Sequence, residues 1–130
     1  MANNNIVILT YATTPDVPPV EGKFLQLIWR GREYILFSAR DLHRFHNEIL
    51  GRFVADHDIE HHWLDNQALQ LDAADLTVIG GGRFRSDTAA RTLALSDNSQ
   101  AYGRFDERGL KQKIAGAESP WVGFSITITE

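Results

Sequence analysis

GGGRFRSDTAARTLALSDNSQAYG, residues 80–103, decides how the rest of the chain is read. Gly80, Gly81 and Gly82 end the β-rich run Leu76-Thr77-Val78-Ile79, so the backbone there either turns sharply or lets another group come close against it. Arg83 follows at once. Beyond Ser86-Asp87, which reads as a turn, residues 92–95 (TLAL) form a short apolar strand. The polar segment Ser96-Asp97-Asn98-Ser99-Gln100-Ala101-Tyr102-Gly103 comes next. Its hydroxyl, amide and main-chain N–H donors suit an oxyanion such as phosphate. Glycine and serine clusters also make plain turns, so the segment alone leaves both readings open.

Working outward towards the N-terminus, residues 6–11 form a β-branched strand, followed by an extended polar loop holding Pro15, Pro18 and Pro19. Residues 23–30 and 33–37, separated at Gly31-Arg32, read as a β-hairpin. From Ser38 the period changes. Leu42, Phe45, Ile49, Leu50 and Phe53 share one side of a helical wheel, with Arg40, Arg44, Asn47 and Glu48 opposite, so an amphipathic helix is expected. His46 lies on the apolar side and is expected to face the sheet. Residues 57–74 read as a short helix and a loop. Towards the C-terminus, Asp106 is expected to cap a second helix carrying Leu110 and Ile114 and ending near Gly116, and residues 121–127 form a last strand. The expected fold class is α/β: a single domain over residues 1–130, with a mixed β-sheet of about six strands flanked by two main helices.

The chain has 130 residues, 43% of them hydrophobic and 23% charged, which is enough to bury a core unaided. It has no cysteine, which excludes a thiolate nucleophile and thiolate metal sites. No apolar run is long enough to span a membrane and the N-terminus lacks a signal pattern, so a cytoplasmic protein is expected. The net charge of −4 argues against general nucleic-acid or acidic-membrane binding. Arg30, Arg32, Arg83, Arg85 and Arg91 nonetheless fall near strand ends, where they either scatter over the surface or build a local basic pocket.

Two histidine constellations carry chemistry. His46, near the start of a helix, feels the positive end of the helix dipole, which favours the neutral, proton-accepting imidazole. The N–H groups of that first turn can hold a phosphate oxygen beside it. A core histidine bonded within the protein is the alternative. His57, His61 and His62, in DHDIEHHW, form the second constellation: on a helix, His57 and His61 would be spaced to chelate a divalent metal with Asp56, Asp58 or Glu60. A histidine-containing surface loop is the plainer reading there. His43 points to the polar side and reads as solvated.

Gly80-Gly81-Gly82-Arg83, the S-x-x-Y-G pattern of Ser99 to Gly103 behind a strand, and the pair Phe45-His46 upstream together resemble the Janus/phosphohistidine phosphatase family. The similarity runs from about Pro15 to the end of the chain. The resemblance implies a mixed sheet with helices on both sides and a metal-independent, cofactor-free phosphatase. Its partner would be a phosphohistidine-bearing protein, phospholysine or a small phosphoramidate. The family's general base falls on His46, with Asn47 beside it. Its phosphate cradle falls on Ser99, Gln100 and Ala101, and the arginine that holds the site by ionic contacts falls on Arg83. Gly80, Gly81, Gly82, Tyr102 and Gly103 complete the supporting frame. The family's substrate-contacting lysine pairs with Leu25, and Lys23, two residues earlier on the same strand face, is its candidate replacement. The family's Arg-Gly pair before the helix appears as Ser38-Ala39, and its glycine two before the cradle serine as Asp97. The oligomeric state is left open. Two other functions stand beside this one: the same fold used as a small-anion-binding module or as a histidine acid/base enzyme on another small anionic substrate, and a metal protein built on His57, His61 and His62.

Overall fold

The computed structural model describes residues 6–14, 17–64 and 68–130. Pro15 and Asp16 of the proline-containing loop, the first five residues and residues 65–67 lie outside the described residues. The element order is β1 (Ile6–Tyr11), β2 (Glu21–Trp29), β3 (Arg32–Ala39), α1 (His46–Asp56), β4 (His61–Trp63), β5 (Leu69–Leu71), β6 (Leu76–Asp87), β7 (Thr92–Ser96), α2 (Leu110–Gly116) and β8 (Ser125–Ile128). A six-stranded mixed sheet runs β1-β3-β2-β6-β7-β8, and β4 and β5 pair as a separate two-stranded sheet. The inner pairings are antiparallel, whereas β1 joins β3 and β8 joins β7 in parallel. The fold is therefore α/β, a mixed sheet with two helices.

Strand alternation divides the core in two. Phe24, Ile35, Phe37, Phe84, Leu93 and Leu95 pack with Leu110 and Ile114 of α2 and with Trp121. Leu25, Leu27, Tyr34 and Leu36 pack with Ile49, Leu50, Phe53 and Val54 of α1. One helix thus covers each face. Ile49, Phe53 and Val54 are fully buried and Leu50 nearly so. At about 1.5–3 kcal/mol for each large apolar side chain, that burial is what holds α1 to the sheet. The β2–β3 hairpin turns through Arg30 and Gly31, whose φ values of 54° and 75° give the twist that a two-residue hairpin needs.

Several boundaries differ from the sequence expectation. The helix starts at His46, not near Ser38, because β3 continues through Ser38 and Ala39 to match Tyr11 on one side and Lys23 and Gly22 on the other. Leu42 and Phe45 precede the helix: Leu42 packs against the α1 core, and Phe45 is the N-cap and 54% exposed. Within residues 57–74, where a short helix and a loop were expected, His61–Trp63 and Leu69–Leu71 pair as the antiparallel strands β4 and β5. The glycines do not end a strand but lie inside the twelve-residue β6, which also includes Ser86 and Asp87. Gly109, with φ 69°, is the N-cap of α2 in place of Asp106, whose carboxylate instead accepts from the backbone and side chain of Arg108. The last strand begins at Ser125; Trp121 sits before it as a buried anchor. Among the described residues, no helix is long and apolar enough to cross a membrane.

Candidate active site

β6 changes neighbours at its glycines. From Arg83 onward it pairs with β7, but at Gly81 it meets Arg104 in parallel, and the Gly81 N–H donates to the Gly103 carbonyl at 3.0 Å. Residues 97–102 therefore leave the sheet as a loop and return to it at Gly103. Each glycine makes room for one contact. A Cβ on Gly80 would strike the Arg104 carbonyl, and one on Gly82 would sit 2.5 Å from the Ser96 carbonyl and 2.9 Å from the Phe105 ring. A Cβ on Gly81 would meet His46 Cδ2 at 2.6 Å, His46 Nε2 at 2.8 Å and the Phe24 carbonyl at 2.7 Å. Of the two explanations the triple glycine allowed, close approach is the one the fold uses.

His46, the first residue of α1, is 5% exposed and lies against this flat stretch of strand. Its Nε2 is 3.1 Å from the Gly82 carbonyl. A carbonyl only accepts, so Nε2 carries the hydrogen and Nδ1 is the lone-pair nitrogen of the neutral ring. Burial lowers the pKa of His46 below its ordinary 6.5, the Gly82 carbonyl opposes that, the Lys23 ammonium adds to the lowering, and the Phe24 carbonyl and Arg83 have smaller opposed effects. The ring is held in its basic form.

α1 opens with a partial capping box. Glu48 Oε1 accepts from the Arg44 N–H at 2.8 Å and the Phe45 N–H at 3.1 Å, which occupies its charge with the backbone. The Glu48 N–H donates to the Phe45 carbonyl at 3.1 Å, and the positive end of the helix dipole favours an anion at that end.

His46 and Asn47 line a cavity of about 570 Å³ together with Lys23, Phe45, Glu48, Arg83, Asp97, Asn98, Ser99, Gln100 and Ala101. All the residues expected to bind phosphate or act as base are thus brought to one hollow. Ser99 is 2% exposed; its Oγ accepts from the Tyr102 N–H at 3.1 Å, which leaves the hydroxyl hydrogen as a donor. Ser99 and Gly103 exchange main-chain hydrogen bonds of 3.0 and 2.8 Å, closing the turn with Gln100 and Ala101 at its exposed tip. The Ser99 N–H is therefore used within the protein, and the loop's other donors include the hydroxyl, the Asn98 and Gln100 carboxamides and the backbone at the tip. Tyr102 packs partly against the α1 core and Gly103, with φ 82°, closes the turn.

Lys23 pairs across the sheet with Arg83, and its side chain lines the cavity, its ammonium 5.6 Å from the centre of the Phe45 ring. Leu25 is fully buried in the core beneath α1. Of the two, it is Lys23 that lines the cavity. Its pKa is lowered, first by burial and next by Arg83, against the opposing pull of Asp97 and Glu48. Arg83 Nε lies 3.2 Å from Asp97 Oδ2 and so ties β6 to the start of the loop. Asp97 holds φ 68°, in the left-handed region where glycine rests at least cost.

Sequence reasoning missed Arg104. Its Nη1 donates to the Asp97 carbonyl at 2.8 Å and its Nη2 to the Thr129 carbonyl at 3.0 Å, pinning the loop's entry to the end of the chain. A lone arginine after S-x-x-Y-G carries no signal that would have pointed to it. Phe45, Glu48 and Asn98 also line the hollow without having been singled out as contacts for a ligand.

The histidine-rich segment does not form the chelating helical turn. α1 stops at Asp56, His57 is its C-cap with Nδ1 2.8 Å from the Phe53 carbonyl, and His61 and His62 lie in β4. Their Nδ1 atoms meet the Ile59 carbonyl at 2.7 Å and Asp72 at 2.9 Å. Among the described residues no group of three His, Cys, Asp or Glu is placed to hold a metal ion. His43 is half-buried, with Nδ1 2.7 Å from Ser38 Oγ, so it is not the solvated residue expected. Compared with protein-family models and with curated proteins, the chain matches none.

Proposed function

We propose that the protein is a metal-independent phosphatase that hydrolyses phosphohistidine or a related phosphoramidate, in the manner of the Janus/phosphohistidine phosphatase family. The observation that carries this reading is the meeting of a neutral imidazole, a lysine and a hydroxyl-bearing turn in one solvent-reachable cavity. The phosphoryl group sits between the Ser99 hydroxyl, the tip of the loop and the first turn of α1, with Lys23 and Arg83 balancing its charge. A water molecule hydrogen-bonded to His46 Nδ1 attacks phosphorus in line with the P–N bond. The water proton passes to Nδ1, the P–N bond breaks, and the leaving nitrogen takes a proton from solvent. Phosphate and the free amine or imidazole are the products. Nε2–H, anchored on Gly82, keeps the ring in the tautomer that leaves Nδ1 basic.

Phosphate release from phosphoramidate and from a phosphohistidine peptide, measured with chelator present, tests the reading. His46→Ala is expected to lower turnover by about 10²–10⁴-fold, the usual contribution of a general base. Full activity in that variant, or no turnover by the wild-type protein, would overturn it.

One observation favours a second reading, a small-anion-binding module of the same fold: the Asp97 carboxylate lines the cavity and occupies Arg83. An NMR titration with inorganic phosphate that perturbs Ser99, Gln100 and Ala101 in a protein without turnover would favour it.

A further inference from the structure

Beside the candidate active site, and sharing Lys23 and Arg83 with it, lies a second cavity of about 480 Å³. Lys23, Arg40, Arg44, Arg83 and Arg85 all line it, and Glu21 is its one carboxylate. Five of the chain's 13 lysines and arginines are therefore gathered in one groove of a protein whose net charge is −4. Such a concentration costs self-repulsion unless an anionic partner relieves it. Glu21 cannot balance it alone: it lies 3.1 Å from Arg85 and 3.8 Å from Arg40, while Arg83 is turned to Asp97.

We infer that this groove binds an acidic, extended peptide segment flanking the phosphorylated residue, with a carboxylate two residues away from it; the inference rests on the proposed phosphatase reading for the phosphoryl group alone. The spacing comes from the sheet. Lys23 and Arg83 are paired across β2 and β6 at the edge of the phosphate cavity, and Glu21 and Arg85 are the next pair on the same face. Two residues along a strand span roughly 6.6–7 Å, which is also the spacing of side chains on one face of an extended peptide. A phosphorylated side chain entering the first cavity thus sets the carboxylate two residues away over Arg85, with Arg40 and Arg44 at its flank. Ala94 and Ser96 of β7, opposite Arg85 and Arg83, keep the floor low with small side chains. Arginine suits the task because its planar fork accepts a carboxylate in a bidentate geometry.

Turnover of phosphohistidine peptides of equal length, with Glu or Gln two residues before or after the phosphohistidine, tests this. One Glu peptide is expected to exceed its Gln counterpart by about tenfold in kcat/KM, chiefly through KM, as befits one charged hydrogen-bonded contact. The ratio should fall towards one in Arg85→Ala and in Arg40→Ala, and at high salt. Equal rates for Glu and Gln peptides in the wild-type protein would overturn the inference. If no substrate is turned over, the phosphatase reading fails but the groove is still tested, by NMR titration with the unphosphorylated Glu and Gln peptides. Shifts at Arg40, Arg85 and Ala94 with the Glu peptide only would uphold it; no shifts, or equal shifts with both, would overturn it.

Discussion

His46 is buried, yet it lines a cavity, and both conditions shape its titration. Its pKa lies below 6.5, chiefly because burial penalises the imidazolium, so the basic form persists into mildly acidic solution. The acid limb of the rate profile for phosphoramidate hydrolysis is therefore expected below pH 6.5, and a limb at or above that value would contradict a buried base. Stability follows with a definite sign. Between the lowered folded pKa and 6.5 the unfolded chain binds more protons at this position, so stability is lost as pH falls through 6.5 and levels off once the folded ring titrates. His43 is shifted the same way, by burial and then by Arg52, so His46→Gln should remove only part of this acid sensitivity in urea denaturation. Asp97 lends itself to a cleaner substitution. Its ion pair with Arg83 is substantially exposed, with the two side chains 65% and 45% accessible for Arg83 and Asp97, and contributes about 0–1 kcal/mol. Asp97→Gly relieves a left-handed backbone and frees Arg83 for substrate, so inorganic phosphate should bind more tightly while stability changes by less than about 1 kcal/mol. Unchanged or weaker phosphate binding by isothermal titration would show that the carboxylate does not compete at the site.

At the scale of elements, the site is made where the first turn of α1 lies against the glycines of β6. Gly81→Ala places a methyl group within 2.8 Å of both the imidazole and the Phe24 carbonyl, and the carbonyl, being backbone in the sheet centre, has little freedom to give. The expected cost is about 1–3 kcal/mol in denaturant unfolding, together with a loss of turnover at least as large as one decade as the ring is pushed off its anchor. Wild-type activity in a folded Gly81→Ala protein would mean that the imidazole need not lie against β6. The triple glycine announced itself in the sequence, but which group approached it did not, since that depends on a helix 36 residues away in the chain. The hairpin was legible because alternation and Gly31 agree. The start of α1 was not: Leu42 and Phe45 fall in phase with the helical period by coincidence, while β3 is lengthened by two neighbouring strands that local pattern does not show. Alternation likewise could not separate Lys23 from Leu25. Which of two residues of equal parity reaches the cavity depends on where α1 ends its cover, and Leu25 is under the helix while Lys23 is beyond it.

For the whole molecule, both faces of the sheet carry core, and the candidate site lies on the α1 side. Trp121 is 1% exposed and packs tilted against Phe37, ring centres 4.3 Å apart, and edge-on to Phe84 at 5.9 Å, on the face that α2 covers. Trp121→Ala should cost about 3–5 kcal/mol by thermal or urea unfolding, yet the molecules that remain folded should keep near-normal turnover, because His46 and its cavity lie across the sheet. A parallel collapse of turnover per folded molecule would instead mean that the two faces are coupled. The overall class, mixed sheet with a helix on each side, was legible from the alternation of strand and helix periods, whereas the small β4–β5 hairpin was hidden by its polar, histidine-rich composition. The anchor of His46 has one more bearing on such a chain. The atom that orients the imidazole is a peptide oxygen of β6, common to every amino acid, so no exchange of side chain at position 82 deletes it. Substitutions can thus change the rim and the charge of this hollow while the posture of its imidazole stays tied to the main chain itself.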